Sequence, residues 1–224
     1  MSITVIIPTL NEAASIARCL QSVRAQAPAQ IIIVDGGSSD GTLTRAETAD
    51  EVIHAARGRA SQMNAGAAKA TGDILLFLHA DCGLQPGALA EAQRLLLDPD
   101  IVAGCFSMRV RAPGWIYRSI DACASARVRL TGLIYGDQGM FVRRRDFEHA
   151  GGFPPLRLME DVFLSRKLAR QGRVVVARSR IWASPRRWQQ VGLVRQTLRN
   201  WTLTALAAAG IHPDRLAQFY PHVR

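Results

Sequence analysis

Three carboxylate positions in this chain stand where a side chain could do chemistry. Asp35 follows the apolar run Ile31–Val34 and precedes Gly36 and Gly37. Glycines at that point let the backbone turn tightly and let a ligand approach closely. A carboxylate beside them can accept hydrogen bonds from a base N–H or from ribose hydroxyls. The competing reading is an Asx turn with Asp40 as a helix cap; the expectation is function for Asp35 and capping for Asp40. Asp81 closes the segment ILLFLHAD. An acidic side chain at the end of a fully apolar strand is poorly placed for packing and well placed to hold a divalent cation through oxygen ligands. Such a cation would neutralise a diphosphate and help it leave, although Asp81 could also simply cap the turn into Cys82 and Gly83. Glu160 and Asp161 open a helix after the loop GGFPPLRLM. First-turn acids suit the helix dipole; the functional reading is a general base that takes a proton from an acceptor hydroxyl.

The elements that would carry these residues alternate. Apolar runs at Ile3–Pro8, Ile31–Val34 and Ile74–Leu78 read as strands buried on both faces, with a shorter strand at Glu51–His54. Between them, Glu12–Ala25 carries Ile16, Leu20 and Val23 at helical spacing, a helix runs to about Ala49, and Arg59–Ala70 is Ala-rich and helical. Pro86 opens a helix to Leu97. This alternation predicts a largely parallel sheet with helices on both faces. Farther on, strands are expected at Ile101–Val110, Met140–Val142 and Arg173–Ala177, and helices at Trp115–Leu130 and Glu160–Arg170. Arg187–Ala209 is expected as one helix with Trp188, Val191, Val194, Leu198 and Trp201 on one face. The polar groups of interest fall at strand C-termini, where open α/β sheets place ligands.

The chain has 224 residues, enough for one large domain with a substantial core. Lys and Arg number 28 against 18 acidic residues, a formal charge of +10 that favours anionic partners such as nucleotides, phosphates or acidic lipid surfaces. Cys19, Cys82, Cys105 and Cys123 form no CxxC pair and fit no zinc spacing, which points to a reduced, cytoplasmic chain. The first apolar run lacks a basic leader and a cleavage site, so no signal peptide is expected. The longest later apolar stretch, Leu203–Ile211, is far short of the roughly 20 residues that a spanning helix needs.

Taken together, VIIPTLNE (residues 5–12), IIIVDGGSSDGT (31–42), GRASQMNAGAAKATGDILLFLHAD (58–81) and GGFPPLRLMEDVFLSRKLARQG (151–172) resemble family 2 glycosyltransferases of the GT-A fold. Each segment alone is a weak signal; four in the family's order over nearly the whole chain are a strong one. The resemblance implies a GT-A-type, Rossmann-like α/β domain over residues 1–182 with a helical extension over 183–224. It implies a nucleotide-sugar donor, UDP by family habit, bound by Pro8, Thr9, Asn11 and Glu12, with Asp35 reading the base. It places Arg59, Asn64 and Gly66 near the diphosphate, and Ala80 beside Asp81, which would hold Mn²⁺ or Mg²⁺. Asp161 would be the base of an inverting displacement onto a hydroxyl acceptor, supported by Glu160.

One position departs from the pattern. The first residue of the DxD-type motif is His79, so the expected metal site depends on Asp81. Asp137 and Gln138 precede a short strand where an acceptor or sugar pocket often lies. Arg187 and Trp188 are similar to an Arg-Trp element of larger members and are expected near the acceptor or diphosphate. These two features resemble a compact bacterial subgroup linked with arsenosugar biosynthesis. The basic segment Arg186–Trp201 has three expected uses: phosphate contact through Arg187, peripheral contact with an anionic membrane, or packing alone. Two rival functions stand beside transfer. A sugar-phosphate nucleotidyltransferase would need a glycine-rich basic loop after the first strand, where this chain has Thr9-Leu10-Asn11-Glu12. A nucleic-acid-binding module would need basic and aromatic interleaving beyond Arg186–Arg199, and no nucleic-acid partner is expected.

Overall fold

The computed structural model describes residues 1–219; residues 220–224 and the side chains of Arg187, Gln190, Leu193, Val194, Trp201 and Ala208 lie outside the described set. The expectations for the side chains of Arg187, Val194 and Trp201 therefore fall outside it too.

Eight strands form one sheet in the order β3-β2-β1-β4-β7-β6-β8-β5. They are β1 (Ile3–Thr9), β2 (Gln30–Asp35), β3 (Glu51–His54), β4 (Ile74–Phe77), β5 (Gly83–Leu84), β6 (Ile101–Val110), β7 (Met140–Arg143) and β8 (Arg173–Ala183). β1 pairs in parallel with β2 and β4, β2 with β3, and β6 with β8; β7 runs antiparallel to both β4 and β6. This is a mixed, mainly parallel sheet.

The continuous apolar runs are explained by cover on both faces. Val5, Ile7, Ile31 and Ile33 pack with Ile16, Leu20 and Val23 of α1 (Ile16–Arg24) and with Leu89 and Ala92. The alternate residues Ile6, Ile32 and Val34 pack with Ala60 and Met63 of α2 (Arg59–Lys69) and with Leu164 and Leu168 farther along the chain. α3 (Ala88–Leu95) and α4 (Trp115–Thr131) complete the first half, and α5 (Arg144–His149) and α6 (Glu160–Ala169) follow. The C-terminal helices are α7 (Arg186–Val191), α8 (Leu193–Ala208) and α9 (Pro213–Leu216). Leu203 and Ala207 of α8 and Leu216 of α9 form a third apolar cluster with Leu158, Met159 and Val162 at the start of α6.

Three sequence expectations need correction. The helix expected up to Ala49 is a single 3₁₀ turn, Thr44–Ala46. Asp40 accepts from the Thr42 and Ala13 amides and from the Thr42 hydroxyl, and these side-chain bonds hold the segment in turns instead of a helical ladder. β8 does not stop at Ala177 but runs on to Ala183, because after an irregularity at Arg178 and Ser179, whose amides donate to Glu91, it pairs again with β6 and with β5. The single helix expected over Arg187–Ala209 is two helices broken at Gly192, whose φ of 90° is open to glycine and strained for other residues. The break resets the helical phase: Trp188 is buried, whereas Leu198 is 54% exposed, so they do not share one buried face.

The topology brings the site together. Because β7 runs against β4, with Phe77 opposite Met140, the chain entering β7 arrives at the same edge where β4 ends. The C-terminal ends of β1, β2, β4 and β8 share that edge, so Thr9, Asp35, His79, Asp81 and the start of α7 gather there.

Candidate active site

Asp161 sits in the first turn of α6. Its Oδ2 accepts from the Gly136 amide at 2.5 Å and its Oδ1 from its neighbour Val162 at 2.7 Å. Gly136 opens the 3₁₀ turn Gly136–Gln138 that leads into β7. No Cβ fits there, since one would lie 2.6 Å from His79 Nε2 and 3.2 Å from Asp161 Oδ2. His79 and Asp161 thus both lie against Gly136, and the absence of a side chain there is what permits it. They line an open cavity together with Arg59, Asp137 and Tyr135. Asn200, Leu203 and Thr204 of α8 form its far wall.

Glu160, adjacent in sequence, faces away from this cavity's chemistry. It is 1% exposed, and its Oε1 lies 2.8 Å from Arg59 Nε. The pair ties the start of α6 to the start of α2 and so fixes the helix turn that carries Asp161. Removing one partner of a buried ion pair strands the other charge, at a cost of roughly 3–5 kcal/mol when burial is complete. Arg59 is partly exposed, so Arg59→Ala is expected to cost less than that, lower the melting temperature and depress turnover with it. An unchanged melting temperature would show that the pair does not hold α6.

Asp81 lies on the other side of His79. A second, small cavity is lined by His79, Asp81, Asp137, Ser184, Trp188 and Asn200, among others. His79 and Asp137 line both cavities, so the Asp81 and Asp161 carboxylates face connected space. Among the described residues no three His, Cys, Asp or Glu side chains converge as a closed metal cage. Asp81 alone offers the kind of carboxylate ligand that Mg²⁺ or Mn²⁺ takes when phosphate and water complete its shell, and it lines the same cavity as Asp137 and His79. A cation held there would depend on Asp81 and on ligands that a diphosphate and water bring.

The residues expected at the nucleotide end are held by hydrogen bonds within the protein. Asp35 is buried at the end of β2 and accepts from Gly37 N at 2.8 Å, Ser38 N at 2.9 Å, Ser38 Oγ at 2.5 Å and Thr9 Oγ1 at 3.2 Å. Burial alone would raise its pKa; the hydrogen bonds from Ser38, Gly37 and Thr9 outweigh it and hold the carboxyl below its ordinary value. Those four bonds match the lone-pair capacity of a carboxylate, so a base N–H reaching Asp35 would have to displace Ser38. Since the folded pKa is depressed, this stabilisation is present above the ordinary carboxylate range and is lost as pH falls through the folded value. Asp35→Ala is expected to weaken UDP and UDP-sugar by the same factor, in binding titrations at neutral pH, and to remove that acid-dependent part of the stability. Unchanged affinity for both would make Asp35 a turn residue only.

Pro8 and Thr9 end the buried strand β1. Asn11, with φ of 54°, accepts from Ser39 N, and its own amide donates to Ser38 Oγ, so it clasps the loop after β2. Glu12 is nearly buried, and its carboxylate receives Arg186 of α7 at 3.1 Å, across 174 positions of sequence. Asn64 and Gly66 contact the protein interior. Asn64 exchanges two hydrogen bonds with the Phe153 backbone, and a Cβ on Gly66 would collide with Ile6 and Val34. Ala80 and Trp188 are buried in the cluster on the α1 side of the sheet. Gln138 is fully buried, its Oε1 taken by Arg127 and, at 3.5 Å, by the Tyr135 amide.

Several contributors were not read from the sequence. Gln62 is 1% exposed, and its Nε2 donates to Thr9 O and Val34 O, bridging the ends of β1 and β2. A polar residue on the packed face of an Ala-rich helix was the available signal. Tyr135 is sandwiched: the Arg127 guanidinium lies 3.4 Å from its ring centroid and its hydroxyl bonds Thr204 at 2.7 Å. Tyr135, Asn200 and Thr204 carry no local motif. The cysteines are unpaired, and burial pushes the Cys19 and Cys82 thiols well up and Cys105 to about 12.

A sheet of this order, with acidic residues at the shared edge, is the architecture of GT-A glycosyltransferases. A mannosyltransferase of Pyrobaculum calidifontis, solved with GDP-Man and Mn²⁺, superposes with a TM-score of 0.66 at 25% identity, covering 78% of this chain and 55% of that one. Staphylococcus aureus TarS, solved with UDP-GlcNAc, shares the fold with a TM-score of 0.65 at 19% identity, covering 82% of this chain and 58% of that one. Residues 4–152 match the profile of glycosyl transferase family 2, and the chain belongs to that family. An uncharacterized glycosyltransferase of Nostoc is 34% identical over 112 residues, 46% of this chain; the match spans 35% of that relative's length. These likenesses support the family and not the narrower arsenosugar-linked subgroup. Among the described residues, no helix is long and apolar enough to cross a membrane.

Proposed function

We propose that this chain transfers a glycosyl group from a nucleotide-sugar donor, UDP-linked, to an acceptor hydroxyl with inversion at the anomeric carbon, assisted by Mn²⁺ or Mg²⁺. The observation that carries this reading is the Asp161 carboxylate, oriented by two backbone amides in a cavity that adjoins the Asp81 cavity through His79 and Asp137. In the forward step Asp161 accepts the acceptor hydroxyl proton as that oxygen bonds to the anomeric carbon; the bond to the diphosphate breaks and the nucleoside diphosphate departs. A divalent cation held at Asp81 would supply neutralisation of the leaving diphosphate. Arg59 and Glu160 position α6. The loop built by Asp35, Ser38 and Asn11 shapes the nucleotide end.

Residues 1–182 form the catalytic unit in this proposal, and 183–224 are a helical extension that walls the transfer cavity. Arg186 on Glu12 tethers that extension to the nucleotide end. Peripheral contact with anionic membrane would run through exposed basic side chains of this extension such as Arg195; failure to co-sediment with anionic vesicles removes that contact and leaves the transfer site untouched.

A thermal-shift screen of nucleotide sugars with and without Mn²⁺ tests the reading. A metal-dependent rise in melting temperature with at least one UDP- or GDP-sugar is expected. No metal-dependent rise across the set would overturn it.

A further inference from the structure

α4 has two faces. Asp121, Ala124, Ser125 and Val128 are buried against the sheet. A second stripe, Ile116, Ile120, Cys123 and Leu130, recurs at helical spacing and lines a groove beside that core, with Ile120 half-buried against it and Ile116 41% and Leu130 84% exposed. Across from it stand Leu198, 54% exposed, and Ala205 of α8. The two helices bound an open, mostly apolar groove of about 780 Å³, within the roughly 300–1,000 Å³ of a ligand pocket. An apolar surface of that extent marks a ligand groove or an interface.

The groove does not end blindly. Tyr135, Asp137, Asn200 and Thr204 line both it and the cavity that holds Asp161. A path therefore runs from the carboxylate, past a polar collar, into an apolar trough. That order of surfaces is the imprint of an amphiphile. We propose that the acceptor is a hydroxyl borne on an apolar body, with its hydroxyl directed at Asp161 and its hydrocarbon part lying between α4 and α8. This rests on the transfer reading above and adds the chemical class of the acceptor. A second copy of the chain would have no need of continuity with the transfer cavity. A bilayer surface would meet an exposed convex face more readily than a trough between two helices.

The test uses dodecyl maltoside below its micellar concentration against maltose, the same head without the tail, by titration calorimetry on the full chain. The tailed probe is expected to bind at least about tenfold more tightly. Leu130→Asp and Leu198→Asp, both at exposed positions, are each expected to remove about tenfold of that tail-dependent affinity while melting temperature and Mn²⁺-dependent UDP affinity stay at wild-type values. Equal affinity for the two probes, or tail binding untouched by both substitutions, overturns the proposal. So does a concentration-dependent dimer that Leu198→Asp dissolves while the tailed probe fails to bind, since the groove then serves a second copy. If tail binding holds but no nucleotide sugar is bound or cleaved, the transfer reading fails and the groove's assignment as an acceptor subsite falls with it. If donor binding holds and tail binding fails, only the acceptor class is lost.

Discussion

Asp161→Asn is expected to keep donor affinity and to lower kcat by roughly 10²- to 10⁴-fold, the usual contribution of a positioned general base. The substitution preserves size. The side-chain oxygen can still accept from Gly136 or Val162, so the first turn of α6 should keep its geometry. What it loses is the ability to take a proton, an event confined to the transition state, and the effect therefore belongs in kcat and in kcat/KM equally. Glu160 offers no substitute base, because it is held against Arg59 on the buried side of the same turn. Near wild-type turnover in Asp161→Asn would place the base elsewhere, with Asp137, which lines the same cavity, as the next candidate.

Asp81→Ala has the second large expected effect: loss of the metal-dependent part of donor affinity with little change in melting temperature. Asp81 is only partly buried, and the hydrogen bond it accepts from Cys82 Sγ is a long one, 3.8 Å, so packing depends little on it. Its neighbours His79 and Asp137 do not make a closed cage with it, so removing Asp81 removes the anchor of any cation that completes its shell from the diphosphate. Titrating UDP-sugar with and without Mn²⁺ on both proteins measures this. Mn²⁺-dependent affinity that persists in the variant would contradict the assignment.

The parts of this molecule that were legible in the sequence are those governed by local pattern. Ile31–Val34 and Ile74–Leu78 read as buried strands because they are apolar without alternation, and both are central in the sheet. Their ends located Asp35 and Asp81, and the four motif segments located Asp161. The rest depended on partners distant in sequence. Nothing near Gly136 announces that His79 will lie against it, since their meeting follows from the antiparallel entry of β7 beside β4. The periodic apolar positions after Arg187 promised one helix, but Gly192 stops the ladder, and the phase on either side serves different neighbours. Glu12 read as a nucleotide residue, and its pairing with Arg186 became visible only once β8 delivered α7 to the same edge. Gln62 carried no motif and Asn64 was expected near the diphosphate, yet each spends its amide on backbone from another element.

The most direct measurement is release of nucleoside diphosphate from UDP- and GDP-sugars by the purified chain, with Mn²⁺ and with chelator, in wild type and Asp161→Asn. Metal-dependent release from at least one nucleotide sugar, reduced by roughly 10²-fold or more in the variant, is the expected result. Contradiction would come from pyrophosphate release out of a nucleoside triphosphate with none from any nucleotide sugar, or from diphosphate release that neither the chelator nor the substitution alters.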